Sequence, residues 1–340
     1  MGLILVTGAT GFLGHHLIPA LADSGYQVRA LVRPTSQTDF LSSHGVELAY
    51  GDVQDSDAVQ TAIKGCDRVI HAAGRFRFWG DQHTFEQVNA FGTAHMLEAA
   101  KRNNVKSFIY ISTVAVVGTP QPGRVIDETY PCRPEDSYQR SKYDAENLAR
   151  MYHHGSGLPT VILRPGAFYG PWGHYAWNRL FFEDPLKGLR LQVHHGRRLT
   201  FPVFVPDVAR AIIAALEKGR PGETYNVSGE PILHREANGI ISKLADISDY
   251  RFNCPSPLMI WLAGVLTDVA RRTGREPYYP INLAKYVFYD WNVSSEKARA
   301  ELDFTPTPFE EGARQTVEWY REMGWIKSQI PKSKSQIPIR

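Results

Sequence analysis

A tyrosine and a lysine four residues apart, in Tyr138-Gln-Arg-Ser-Lys142, offer the clearest chemistry in this 340-residue chain. On a helix that spacing sets a phenol and an ammonium on one face, about one turn apart. A free tyrosine, with a pKa near ~10, exchanges its proton poorly at neutral pH. A neighbouring cation favours the phenolate and draws that value toward the range of a working acid or base. Ser112-Thr113 adds a hydroxyl at the end of a strand-like run, where it would hydrogen-bond a reacting oxygen. The chemistry suited to the set is proton transfer at the oxygen of an alcohol or a carbonyl. A surface helix or a strand-end cap can carry either feature alone, so the reading depends on what accompanies them.

Thr7-Gly8-Ala9-Thr10-Gly11-Phe12-Leu13-Gly14 accompanies them, between the first strand-like run and an amphipathic helix. Glycines there let the chain turn tightly and approach a pyrophosphate, which the N–H groups of a helix N-terminus then hold. Gly8, Thr10, Gly11, Phe12, Leu13 and Gly14 are therefore candidate contacts to a dinucleotide. A carboxylate at the tip of the second strand would select NAD by binding both ribose hydroxyls. This chain has Leu31-Val32-Arg33 there, with no acid between Asp23 and Asp39. An arginine in that place pairs with a 2′-phosphate. NADP is the expected cofactor, with NAD as the alternative. Asp52 and Val53 at the third strand tip, Ala72-Ala73-Gly74 at the fourth, and Pro165-Gly166 after the last strand of the first half complete the cofactor set. Tyr138 and Lys142 belong to it as well.

Elements of a particular kind must position these residues. Short apolar runs at Leu3–Thr7, Gln27–Arg33, Val46–Gly51, Asp67–Ala72, Ser107–Ser112 and Thr160–Arg164 alternate with helical stretches such as Ser56–Ile63, Phe85–Arg102 and Asp136–His153. Strand and helix in alternation mean parallel pairing with right-handed crossovers, hence an α/β fold with a doubly wound parallel sheet. Residues 1–165 read as the dinucleotide-binding domain, with returns near 203–228. Residues 166–325 read as a smaller, helix-rich C-terminal substrate lobe, with helices at Val205–Lys218, Arg235–Ala245, Leu258–Arg272, Ser294–Glu301 and Phe309–Met323. Residues 326–340 carry an imperfect repeat, Lys327-Ser-Gln-Ile-Pro and Lys334-Ser-Gln-Ile-Pro, polar enough to read as a disordered tail.

Composition excludes several classes. Thirty-eight basic against thirty-five acidic side chains is too even to point to nucleic acid. No apolar stretch reaches the ~20 residues of a membrane span. No basic n-region precedes the first strand, so a secretion signal is not expected. Three widely separated cysteines, Cys66, Cys132 and Cys254, indicate a reducing, cytoplasmic setting. Adjacent histidine pairs lack the spacing of a metal site, and none is expected. Leu258–Leu266 could lie on a membrane surface, but core packing or pocket lining is the favoured reading.

In order along the chain, the glycine turn, His71-Ala-Ala-Gly74, Asn89-Ala-Phe-Gly-Thr93, Ile111 to Gly118, the Tyr–Lys pair, Arg164 to Pro171, Phe204-Val-Pro-Asp207 and Glu223 to Gly229 resemble the extended short-chain dehydrogenase/reductase family, the NAD-dependent epimerase/dehydratase type. The resemblance runs to about Trp325. It implies a Rossmann fold, Tyr138 as acid/base, Lys142 on the nicotinamide ribose, Thr113 orienting the reacting oxygen with Ser112 as the substitute, and a homodimer formed through helices near Phe85–Arg102 and Asp136–His153. The branch most similar holds dihydroflavonol 4-reductase-like, 3β-hydroxysteroid dehydrogenase-like and hopanoid-associated sugar epimerase proteins, the last resembled in Arg75-Phe-Arg-Phe-Trp79.

The expected activity is hydride transfer between a nicotinamide and a secondary alcohol or ketone. A nucleotide-sugar epimerase or dehydratase that retains its cofactor is the alternative, and a non-catalytic cofactor sensor a more distant one. Val117 stands where sugar epimerases of the family usually carry tyrosine, and this chain has no asparagine near Ala167, where they commonly carry one, which argues against a nucleotide sugar. Phe76, Phe78, Trp79, Phe168 and Tyr169 are candidates to line an apolar substrate pocket, and Arg198 to meet a phosphate.

Overall fold

The computed structural model describes residues 2–326; the repeat from Lys327 onward, read above as a tail, lies outside the described residues. Seven strands form one parallel sheet: β1 (Leu3–Thr7), β2 (Gln27–Val32), β3 (Glu47–Tyr50), β4 (Arg68–His71), β5 (Ser107–Ile111), β6 (Thr160–Pro165) and β7 (Thr224–Val227). Their order is β7-β6-β5-β4-β1-β2-β3, so the chain runs outward from β1 to β3 and crosses back to place β4 beside β1. That reversal opens a crevice beyond the C-terminal ends of β1 and β4, the place where such sheets bind ligands.

Alternation along β1 shows why the sheet is covered twice. Ile4 and Val6 enter one core with Leu17, Ile18 and Leu21 of α1 (Gly14–Asp23), while Leu5 enters the other with Val59 of α2 (Ser56–Ala62). Met96 and Leu97 of α3 (Gly92–Arg102) and Ala145 and Ala149 of α4 (Ser137–Ser156) complete that second core. Ile212 and Ala215 of α5 (Val205–Lys218) join α1 on the first face. A strand buried on both faces has no polar side, hence its continuous apolar run. Beyond β6 an aromatic core of Tyr169, Trp177, Phe182 and Phe204 packs with Ile241 of α6 (His234–Ala245) and Val317 of α8 (Phe309–Glu322). Between α6 and α8 in the chain lies α7 (Ser256–Thr273).

The stretch expected as one helix over Phe85–Arg102 contains a π-helical turn, Glu86–Phe91, before α3. The widened turn carries Asn89, whose side chain bridges Arg75 of the loop after β4 and Ser141 of α4.

Candidate active site

α4 begins with a capping box: Asp136 accepts from the Gln139 N–H at 2.8 Å, and Gln139 Oε1 accepts from the N–H of Asp136. Lys285 pins the same Asp136 carboxylate at 3.1 Å. This fixes the first turn of α4, and Tyr138 with it, at the open end of β5. One turn on, Lys142 is buried; its Nζ donates to the Ile111 carbonyl at 2.6 Å and sits 4.4 Å from the centre of the Tyr110 ring. Burial pushes the Lys142 pKa down from 10.5 to about 7, against the upward pull of Glu146. Burial also raises the Tyr138 phenol above its ordinary value; the Thr113 hydroxyl beside it opposes that rise and the Asp136 charge adds to it. The resting phenol is therefore a proton donor.

The two strand-tip hydroxyls divide. Thr113 faces the cleft next to Tyr138, capping the short Val114–Val117 helix by accepting from the Ala115 N–H at 3.2 Å. Ser112 lines the same cleft, but its Oγ donates at 2.6 Å to the buried Glu146. Burial alone would raise that carboxyl, yet Arg164, at 2.7 Å, and Arg150, at 2.8 Å, hold it below the usual range. An anionic acceptor keeps the Ser112 hydroxyl, whereas that of Thr113 stays beside Tyr138 in the cleft.

The dinucleotide end is built from backbone. Gly8 has φ of +75°, and a Cβ on it would stand 2.7 Å from the Ala72 carbonyl, so the tips of β1 and β4 touch. Glycine alone serves there. The Gly11 N–H returns to the Gly8 carbonyl at 3.0 Å. The next two N–H groups, of Phe12 and Leu13, have no acceptor among the described residues and open α1, a setting that favours a phosphate. Gly14 does not line the cleft: a Cβ there would meet the Ala9 carbonyl, and its part is to let α1 pack against the turn. A Cβ on Gly74 would lie 3.7 Å from Lys142 Nζ, so the β4 tip passes close over the lysine. These features fit a nicotinamide dinucleotide.

A hydrogen-bonded chain that sequence reading did not single out sets this bed. The Ala73 N–H donates to Thr7 Oγ1 at 3.0 Å, and Thr93 donates to the Asn89 carbonyl at 2.6 Å. His71, fully buried between them, must then accept from Thr7 on Nδ1 at 2.7 Å and donate from Nε2 to Thr93 at 3.0 Å. Burial drives its pKa down to about 3, and the neutral ring ties the tips of β1 and β4 to α3.

The cleft encloses about 670 Å³. Its walls include Gly8, Thr10, Gly11, Phe12, Leu13, Arg33, Asp52, Val53, Ala72, Ala73, Gly74, Pro165 and Gly166, together with Phe76, Phe78, Phe168 and Tyr138; Phe168 packs on Phe12 with ring centres 6.2 Å apart. Arg33 is exposed there with no carboxylate partner among the described residues, and Ser36, one turn on, joins it. Asp52 is occupied in part by Gln54, whose N–H it accepts at 3.0 Å. Phe76 packs on Tyr138 with ring centres 4.8 Å apart, and Phe78 on Tyr175 at 5.6 Å. Tyr175, Trp177, Leu180, Phe181 and Tyr286 extend that apolar wall. Three expected lining residues stand elsewhere. Tyr169 is in the aromatic core of the lobe, Trp79 is not part of the cleft wall, and Arg198 is paired with Asp290 at 2.8 Å.

A family profile described as the NAD dependent epimerase/dehydratase family matches residues 4–228. The chain belongs to that family. It is an enzyme of the extended short-chain dehydrogenase/reductase type, with the seven-stranded Rossmann sheet that its alternating strands and helices required. Among its relatives, the sterol demethylase protein B of Methylococcus capsulatus is 32% identical over 95% of this chain and 99% of that protein. A ketoreductase of Stigmatella aurantiaca, named for a farnesylated dihydroquinoline oxide, is 28% identical over 88% of this chain and 90% of its own. The crystal structure of DesIV, a dTDP-glucose 4,6-dehydratase from Streptomyces venezuelae with NAD and TYD bound, is 25% identical over 96% of this chain and 99% of that chain, with a TM-score of 0.76. No helix of the described residues is long and apolar enough to cross a membrane.

Proposed function

We propose that this extended short-chain dehydrogenase/reductase is an NADP-dependent oxidoreductase that interconverts an apolar ketone and its secondary alcohol. The observation that carries the reading is the wall beyond Tyr138: Phe76, Phe78, Tyr175, Trp177, Phe181 and Tyr286 leave an apolar chamber beside the phenol. Arg75, Arg77 and His174 also line the cleft, but the six rings beside the phenol reward burial of hydrocarbon.

A bound nicotinamide supplies or accepts the hydride. Thr113 holds the substrate oxygen, and Tyr138, protonated at rest, gives that oxygen its proton in reduction and takes it back in oxidation. Lys142, on the Ile111 carbonyl and under the β4 tip, holds the ribose and eases formation of the phenolate. Arg33, exposed and free of a carboxylate, takes the 2′-phosphate, with Ser36 beside it; the NAD of DesIV lacks that phosphate. Residues 1–165 with β7 and α5 serve as the cofactor-binding unit, and the region from Gly166 to Trp325 supplies most of the substrate wall. The three free cysteines accord with the cytoplasm. Phe91 and Met151, 51% and 63% exposed beside α3 and on α4, accord with a homodimer through those helices.

The alternative, a nucleotide-sugar epimerase or dehydratase with retained cofactor, takes support from DesIV and its bound TYD. The engagement of Arg198 by Asp290 weighs against a phosphate site there. A panel of hydrophobic ketones and of dTDP- and UDP-glucose separates the two readings. Ketone-dependent oxidation of NADPH, mole for mole, is expected. Purified protein that carries bound NAD and converts a nucleotide sugar without net cofactor oxidation would overturn it.

A further inference from the structure

α7 is apolar on two sides. Ala263, Thr267 and Ala270 are its buried residues. Leu258, Trp261, Leu262, Val265 and Val269 are 40–65% exposed, and Ile260, 46% exposed, lies off their line toward the cavity side. At about 100° per residue these five fall within an arc of roughly 100°, turned away from the buried face. Five large apolar side chains in one stripe on a solvent face call for a covering.

Charge identifies the cover. Pro255–Thr267 carries no charge, and the C-terminal end carries Arg271, Arg272 and Arg275 against two acids that are already engaged, Asp268 by Arg271 at 3.0 Å and Glu276 by Arg77 and Tyr175. Arg272 and Arg275 are exposed and have no carboxylate partner among the described residues. Arg272 stands on the stripe itself. A second copy laid on the stripe through a twofold axis would set these arginines against the uncharged end of its α7. An anionic lipid surface supplies the missing negative charge and accepts Leu, Val and an exposed Trp at its boundary. The helix spans no bilayer, and its length and stripe suit one lying flat.

We propose that α7 docks this enzyme on the surface of an anionic bilayer, with the Leu258–Val269 stripe in the acyl boundary and Arg272 and Arg275 among the headgroups. The buried side of α7 gives the docking a use. Met259, Ile260 and Ala263 wall an apolar cavity of about 100 Å³, which shares Leu180, Phe181, Leu283 and Val287 with the main cleft. A lipid-borne substrate would pass under α7 toward Tyr138. The docking goes beyond the reductase reading and is measured without cofactor or substrate.

The test is co-sedimentation of the full chain with vesicles of equimolar phosphatidylcholine and phosphatidylglycerol, and with phosphatidylcholine alone. Wild type should bind the anionic vesicles, more weakly as salt rises. Trp261→Ser/Val265→Ser/Val269→Ser should weaken binding at least tenfold, with cofactor binding in solution unchanged. Arg272→Gln/Arg275→Gln should weaken anionic binding roughly tenfold or more, at about fivefold per arginine, and leave phosphatidylcholine binding alone. That pair decides the matter should the triple variant misfold, because both side chains are exposed. Wild type that binds neither vesicle overturns the proposal. So does a triple variant that turns a dimer into a monomer while vesicle binding persists, which would make the stripe a contact between copies.

Discussion

Replacing Arg33 by alanine should turn an NADP-preferring enzyme into one that barely distinguishes the two cofactors. The magnitude follows from the site. Arg33 stands exposed at the tip of β2, in the cleft wall, with no competing carboxylate among the described residues. A charge-assisted hydrogen bond to a phosphate contributes about 1.5–3 kcal/mol, or roughly one to two decades in affinity. Exposure and salt pull the value toward the lower end, and raising the ionic strength should erode it further. Fluorescence titration of wild type with NADPH and NADH, at low and at high salt, gives the starting ratio. Arg33→Ala should weaken NADPH by about tenfold or more and leave NADH nearly unchanged. Arg33→Asp should reverse the order, because it repels the phosphate and restores an acceptor for the ribose hydroxyls. Wild type that prefers NADH, or an Arg33→Ala variant weakened equally toward both, would refute the assignment and leave Arg33 a solvated strand end.

Two further outcomes concern buried groups behind the site. Glu146→Ala strands Arg164 and Ser112 in the interior and should lower stability by about 3–5 kcal/mol, read as a fall in the urea midpoint; a loss under about 1 kcal/mol would contradict the network. His71 has a folded pKa of about 3 against 6.5 unfolded, so on acidification the unfolded chain takes up a proton that the folded one refuses. Stability contributed by the neutral ring should therefore fall from pH 6.5 downward, by roughly 2–3 kcal/mol by pH ~4.5. Urea unfolding of wild type and His71→Gln at pH ~7 and ~4.5 checks this, and equal acid sensitivity in the two proteins would count against it.

Much of the frame was legible because strands buried on both faces and amphipathic helices have different periods. The helix read over Val205–Lys218 recurs unchanged in the structure. The Tyr–Lys pair and the glycine turn were legible for a local reason: the residue types and their spacing lie within a turn or two of chain, although Lys142 meets Ile111 and Gly8 meets Ala72 only in the fold. Contacts across the sheet leave no such mark. Glu146 and Arg164, or Thr7, His71 and Thr93, meet only when parallel strands and crossover helices bring them together. The π-turn at Glu86–Phe91 escapes because a single widened turn hardly disturbs a helical pattern. Tyr169 and Phe168 are adjacent in the chain, but alternation along their short strand sends one into the lobe core and the other to the cleft. α7 shows the reverse difficulty. An apolar helix reads as core from composition, and only the packing shows that its Trp261 stripe stays outside.

Single-turnover reduction of a hydrophobic ketone by NADPH-loaded Tyr138→Phe, compared with wild type, bears most directly on the proposed chemistry. The variant loses one hydroxyl and keeps the ring that packs on Phe76, so NADPH should bind within about twofold of wild type. The rate of cofactor oxidation should fall by roughly 10²–10⁴-fold, the range a positioned general acid contributes. A Tyr138→Phe enzyme that binds NADPH normally and turns over at the wild-type rate would contradict the account.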